Sequence, residues 1–162
     1  FLRQRKYAPV SSMYLYYWSD PAPTIGSGLI DYFGRKLPAY ESMKSVYTPV
    51  LVSLEWNKDP YVIGYEKFWK PADLFVGKVW VNNDHDENLP ARLSWQLAAE
   101  GAGKPILANE LDLLLPADSA KVVDTVTWPI PRSAKGRHRV SMSVVDKKGQ
   151  VLSRNSFELT VR

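Results

Sequence analysis

Asp84, His85, Asp86 and Glu87 put four metal-ligand side chains into one short run. Calcium wants several oxygens in fixed order, and zinc a tetrahedral set of nitrogen, sulfur or oxygen ligands. The spacing matches neither, so the run reads as a polar turn, and no metal or cofactor is expected. The six Trp and nine Tyr are the second chemical resource. An indole or phenol has an apolar body and a polar tip, so it packs in a core or stacks on a sugar ring. Trp56, Trp69, Trp80 and Trp128 are the candidates for stacking on a glycan, and Trp80 and Trp128 adjoin a polar turn or prolines. Exposure discriminates: two or three coplanar rings on one face would bind, whereas buried rings only pack. Burial is the expectation. His138 falls on the apolar series of an alternating segment and reads as an edge or packing residue. Two histidines without a nucleophile motif make no Ser/His/Asp arrangement. Gly26-Ser27-Gly28 lacks the Lys-Ser/Thr and helix start of a phosphate loop.

The elements that would position these residues divide near Tyr47. Residues 13–18 (MYLYYW) form an almost unbroken apolar run, suited to a strand buried on both faces. Pro21 and Pro23 force a loop, in which Asp20 is expected to make an Asx-turn. Pro38 then stands at a first helical position. Ala39, Tyr40, Met43, Val46 and Tyr47 follow at helical spacing, opposite Glu41, Ser42, Lys44 and Ser45. The first third therefore reads as strand, loop and helix.

From Thr48 the pattern is strand and turn. Strands are expected over residues 49–56, 74–81 (with a bulge at Gly77), 92–97, 106–115 and 121–128. Two more alternate through His138, Val140, Met142 and Val144 and through Phe157, Leu159 and Val161. Residues 61–71 read as a linker strand and loop. About seven short strands with regular turn signals predict two packed antiparallel sheets, with Trp95 in the place of the buried tryptophan of immunoglobulin-like folds.

Composition sets bounds. The formal charge is +4, and the basic residues are scattered, with small knots at Arg3, Arg5 and Lys6 and at Arg132, Lys135, Arg137 and Arg139. Nucleic-acid binders concentrate them, so no nucleic-acid partner is expected. No apolar run is long enough to cross a bilayer, so no membrane partner is expected either. Absence of cysteine excludes disulfides and thiolate metal sites. It does not fix the compartment, for which a periplasmic or secreted placement is the expectation. Beginning at Phe1, the chain is expected to have lost an upstream part.

The residues of the first third resemble the end of the catalytic barrel in glycoside hydrolase family 2, most closely its β-mannosidase and exo-β-glucosaminidase branch. The resemblance runs through Tyr16-Tyr17-Trp18, Asp20-Pro21, the string from Gly28 to Arg35, Pro38-Ala39-Tyr40, Met43-Lys44 and the string from Thr48 to Leu54. In two places the chain departs from the family pattern: only Ser19 separates Trp18 from Asp20, and Ala22-Pro23 stands where a Trp is common.

The resemblance implies a domain order: residues 1–47 as a barrel remnant (last strand, loop and last helix), then residues 48–162 as an immunoglobulin-like β-sandwich. The fold class is thus mainly β, preceded by a short β/α segment from a TIM barrel. It also implies that Trp18 floors a sugar subsite in the parent, with Asp20 in the same loop, because barrel active sites form at the C-terminal ends of the strands. Glycoside hydrolysis needs two carboxylates flanking one bond, and in the resembled family both lie on earlier barrel strands. Glu41, Glu55 and Glu66 read as surface charges, so this chain alone is expected to be non-catalytic and the parent a glycosidase. The function expected is an accessory, structural domain whose partner is the missing barrel. A carbohydrate-binding module that takes an oligosaccharide and a protein-binding immunoglobulin-like module are the alternatives. A barrel remnant exposes apolar surface, so residues 13–47 are expected to fold back on the sandwich or to mediate self-association.

Overall fold

A computed structural model of the chain describes residues 4, 17–23, 26, 28–56 and 68–162. The expected strand over 13–18 therefore lies outside the described residues except for Tyr17 and Trp18, and so does the linker over 61–71 before Phe68.

Helix α1 (Pro38–Val46) begins with Pro38 in its first turn and places Glu41 near its N-terminus and Lys44 near its C-terminus, both favourable to the helix dipole. The helical spacing is as expected, but the stripe finds little cover. Tyr40, Met43 and Val46 are half-buried, and no α1 residue is buried.

Strands β1 (Val50–Trp56), β3 (Leu74–Asn83) and β6 (Ser119–Pro129) form one antiparallel sheet in the order β1-β3-β6. Strands β2 (Phe68–Trp69), β4 (Leu89–Ala99), β5 (Leu107–Leu115), β7 (Gly136–Asp146) and β8 (Val151–Val161) form the other, in the order β2-β8-β7-β4-β5. Only the short β2–β8 pair is parallel. The alternation in the sequence becomes the core directly: Leu93, Trp95 and Leu97 from β4 and Val140, Met142 and Val144 from β7 meet Val79, Val81 and Val126 of the facing sheet. Most of these side chains are wholly enclosed, and each contributes about 1.5–3 kcal/mol relative to exposure. The architecture is the immunoglobulin-like β-sandwich expected, with Trp95 buried in it.

Two details differ from the expectation. The bulge is not at Gly77, which pairs regularly with Trp56 and Val126; the register slips between Val79 and Trp80 instead. Gly77 is there for want of space, since a Cβ would lie 3.0 Å from Leu54 Cδ1 and 3.0 Å from Phe75 Cζ. β3 also runs on through Asn82 and Asn83, so the polar turn begins at Asp84.

Two lateral seams are closed by side chains. Val52, on the edge strand β1, donates its N–H to Ser153 Oγ (3.1 Å) and accepts from Asn155 Nδ2 at its carbonyl (3.1 Å). Edge backbone groups left bare invite foreign strands; here β8 side chains occupy them. On the opposite flank Asp124 of β6 reaches across to β4 and β5.

Candidate functional site

The segment around Trp18 and Asp20 is built from short turns. The Trp18 carbonyl accepts from Leu29 N (3.0 Å) and Ile30 N (3.1 Å), and Asp20 N donates to Ile30 O (2.9 Å). Ile30 bridges on to Lys36, and Leu37 N donates to Leu29 O (2.9 Å), which brings the start of α1 beside this knot. Asp20 is 7% exposed, and its Oδ1 accepts the Gly28 N–H at 2.8 Å. The expected Asx-turn thus gives way to a bond that closes the far end of the loop. The space is tight enough to dictate glycine: a Cβ at Gly26 would stand 1.9 Å from Asp20 Cγ.

Asp31 organises the next turn by accepting the N–H groups of Phe33 (3.0 Å) and Arg35 (2.8 Å) at Oδ1, with the Arg35 guanidinium on Oδ2. The Arg35 amide is the main cause of its lowered pKa; the guanidinium adds to it by hydrogen bond and by charge.

Around this knot the aromatic rings face outward. Trp18 is 59% exposed and touches the Tyr40 ring edge-on at 5.8 Å. Tyr32 and Phe33 meet edge-on beside it in sequence, Arg35 lies over Phe33 and Lys36 over Tyr40. Trp18 and Asp20 share one loop, yet only Trp18 presents its side chain to solvent.

The four stacking candidates occupy different environments. Trp69 and Trp128 are 3% and 4% exposed and belong to the core. Trp128 packs on His138, whose Nδ1 lies 3.2 Å from Gly136 O, so that histidine is a packing residue. Trp56 is half-buried between Phe75 and Phe157. Trp80 lies on the outer side of the three-stranded sheet, half-buried, with its Nε1 donating to Glu55 Oε2 at 2.8 Å. Trp56 and Trp80 thus keep partial access to solvent while the other two keep almost none.

Of the three carboxylates weighed as catalysts, Glu41 is exposed on α1, Glu55 is held by Trp80, and Glu66 lies outside the described residues. In the turn after β3, Asp84, His85, Asp86 and Glu87 are all exposed. The turn is fixed from below by buried Asn83, whose Nδ2 donates to the carbonyls of Glu87 (3.0 Å) and Pro116 (2.9 Å) and whose Oδ1 accepts from His85 N (3.2 Å).

Asp124 is the polar cluster that sequence reading missed. Its Oδ2 accepts Trp95 Nε1 (2.6 Å) and Asn109 Nδ2 (2.9 Å), and its Oδ1 accepts Thr125 N (2.7 Å). Burial pushes the carboxyl pKa up, and the bonds from Trp95, Asn109 and Thr125 more than offset it, leaving the group below the usual carboxylate value. Nothing in the local sequence announces this, because Trp95 and Asn109 come from two other strands, β4 and β5.

A family model, the Mannosidase Ig/CBM-like domain, matches residues 77–160, just over half of the chain. No curated protein matches. Among solved structures, the exo-chitosanase of Amycolatopsis orientalis is similar with a TM-score of 0.58 at 18% identity; the match covers 89% of this chain and 15% of that one. The chain thus spans a small part of that enzyme's length. The CARDB domain of a Pyrococcus furiosus protein, solved in complex with di-metal ions, is similar with a TM-score of 0.50 at 15% identity, covering 71% of this chain and 89% of that one. At such identities the likeness is one of fold. The family match reaches from the middle of β3 to the end of β8, and the chain belongs to the Mannosidase Ig/CBM-like domain family.

Proposed function

We propose that this chain is the non-catalytic accessory domain of a family 2 glycoside hydrolase, with residues 1–47 closing the catalytic barrel and residues 48–162 forming the sandwich that braces it. The observation that carries the reading is the contrast between the two parts. The sandwich has a finished core, while α1 buries none of its residues and Trp18, Tyr32 and Phe33 stand 59%, 53% and 69% exposed beside it. A strand-end, loop and helix with an uncovered aromatic face is what the last unit of a barrel looks like without its neighbours. Family membership and the sandwich likeness to an exo-chitosanase support the same reading.

In that parent, Trp18 would contribute an apolar platform to the sugar subsite and Asp20 would hold the loop that carries it. The substrate would be a β-linked glycoside, with β-mannosides and β-glucosaminides first in order by the resemblance of residues 14–54. The chemistry would rest on carboxylates outside this chain.

The test is hydrolysis of p-nitrophenyl β-mannoside, β-glucosaminide and β-glucuronide by this chain and by a longer version carrying the coding sequence upstream of Phe1. The longer chain is expected to turn over at least one of them and this chain none. Turnover by this chain alone, or none by the longer one, overturns the reading.

A further inference from the structure

The outer face of the five-stranded sheet is filled unevenly. Register places Glu110, Ser94, Ser143 and Arg154 side by side across β5, β4, β7 and β8. The adjacent row is Ala108, Gln96, Ser141 and Ser156. Each row crosses three inter-strand spacings, roughly 14 Å. The small side chains leave a groove of about 990 Å³. Its flanks are raised by cross-strand ion pairs: Arg92 with Glu110 (3.1 Å) and Asp112 (2.8 Å) on one side, and Arg139 with Glu158 (2.5 Å) on the other.

The floor is chemically uncommitted. Among the described residues, the hydroxyls of Ser94, Ser141, Ser143 and Ser156, the Gln96 amide and the Arg154 guanidinium make no hydrogen bond or ion pair. A strand face that meets only water gains stability from β-branched or long side chains packing across strands. Here that gain is forgone at four neighbouring serines, between rows where it is taken.

We propose that this groove is a binding site for a short oligosaccharide, held by hydrogen bonds rather than by ring stacking. Hydroxyls and an amide both donate and accept, as the hydroxyls of a sugar do. Arg154 adds a rigid fork of donors at the β8 end. A phosphorylated ligand would ask for more than this single uncommitted cation, an apolar partner would leave the hydroxyls unpaired, and a peptide strand would add at a sheet edge rather than on its face. The site goes beyond the accessory role: it lies on the sandwich itself, and Trp18 is not among its lining residues.

The test is a backbone-amide NMR titration of this chain with manno-, gluco- and chito-oligosaccharides up to millimolar concentration. Saturable shifts are expected at Ser94, Gln96, Ser143 and Arg154 for at least one series. Ser94→Val with Ser141→Val fills the floor with good strand formers and should weaken binding about tenfold or more at a melting temperature equal to or above the parent's. Should that double variant not fold, the exposed Arg154→Ala serves in its place and should weaken binding likewise. Absence of saturable shifts for every series overturns the proposal, and so do shifts confined to Trp18 and Tyr40. Because the accessory reading is tested by hydrolysis in the longer chain, either idea can fail without the other.

Discussion

The carboxylate of Asp20 occupies the place that a side chain at position 26 would need: a Cβ built on Gly26 falls 1.9 Å from Asp20 Cγ and 1.9 Å from Oδ2. The hydrophobic core cluster of the sandwich includes nothing from this loop, not even its buried Leu29. Gly26→Ala should therefore expel the Asp20 side chain, break its 2.8 Å bond to Gly28 N and loosen residues 17–37 while sparing the β-sheets. Limited proteolysis should cut the variant faster within 17–37, with the melting temperature of the sandwich unchanged. A variant as resistant as the parent would show that the loop has another way to close.

On the β1 edge, Ser153 and Asn155 each satisfy one backbone group of Val52. Both groups point away from β3 and are screened from water by the packing around Val52, which is fully buried. Ser153→Ala leaves the N–H unpaired and Asn155→Ala leaves the C=O unpaired, each at about 1–3 kcal/mol. Because both bonds serve one residue, the double variant should cost less than the sum of the singles. Chemical denaturation of the four proteins measures this. Strict additivity would mean that the two bonds do not act as one closure.

The Asp124 cluster sets a pH dependence. A carboxyl whose pKa is lower folded than unfolded contributes stability that is fully present above the unfolded value, about 3.9, and is lost as pH falls through the folded value. The lowered pKa of Asp124 therefore predicts a fall in stability on the acid side of pH 4, part of which disappears in Asp124→Asn. At neutral pH that variant should lose about 1–2 kcal/mol, near the low end for bonds to a charged acceptor because the group is half-exposed and solvent screens it. Melting temperatures of both proteins from pH 2 to 7 decide it: parallel curves would remove Asp124 from the acid transition.

How much of this could be read beforehand depends on where the information lies. The alternation of Leu93, Trp95 and Leu97, or of Val140, Met142 and Val144, is local, and it specified both the strands and their buried faces. Pro38 and the spacing through Val46 marked α1 for the same reason. β2 is two residues long and its parallel partner is more than eighty residues away, so no local period could reveal it. The Gly77 reading failed because glycine in a strand signals either a bulge or a close approach, and only the positions of Leu54 and Phe75 distinguish them. The Asp124 cluster and the serine floor arise from register between strands. The aromatic count raised sugar stacking as a candidate, and burial divided the four tryptophans in a way that composition could not.

The aromatic surface around α1 makes a last prediction. Tyr17, Trp18, Tyr32, Phe33 and Tyr47 are each at least 40% exposed within one short stretch of chain. Single exposed rings are ordinary, but a cluster in one segment is the signature of a surface that is covered in the working molecule. We expect the isolated chain to cover it with a second copy, so that sedimentation velocity shows a concentration-dependent shift from monomer toward dimer. Trp18→Ser with Phe33→Ser should abolish the shift, since neither side chain supports the sandwich core. If this chain supplies the end of a barrel, the longer protein should stay monomeric over the same concentrations, because the rest of the barrel would occupy the face. A chain that is monomeric throughout would remove self-contact as the fate of this surface, and an unshifted double variant would place the contact elsewhere.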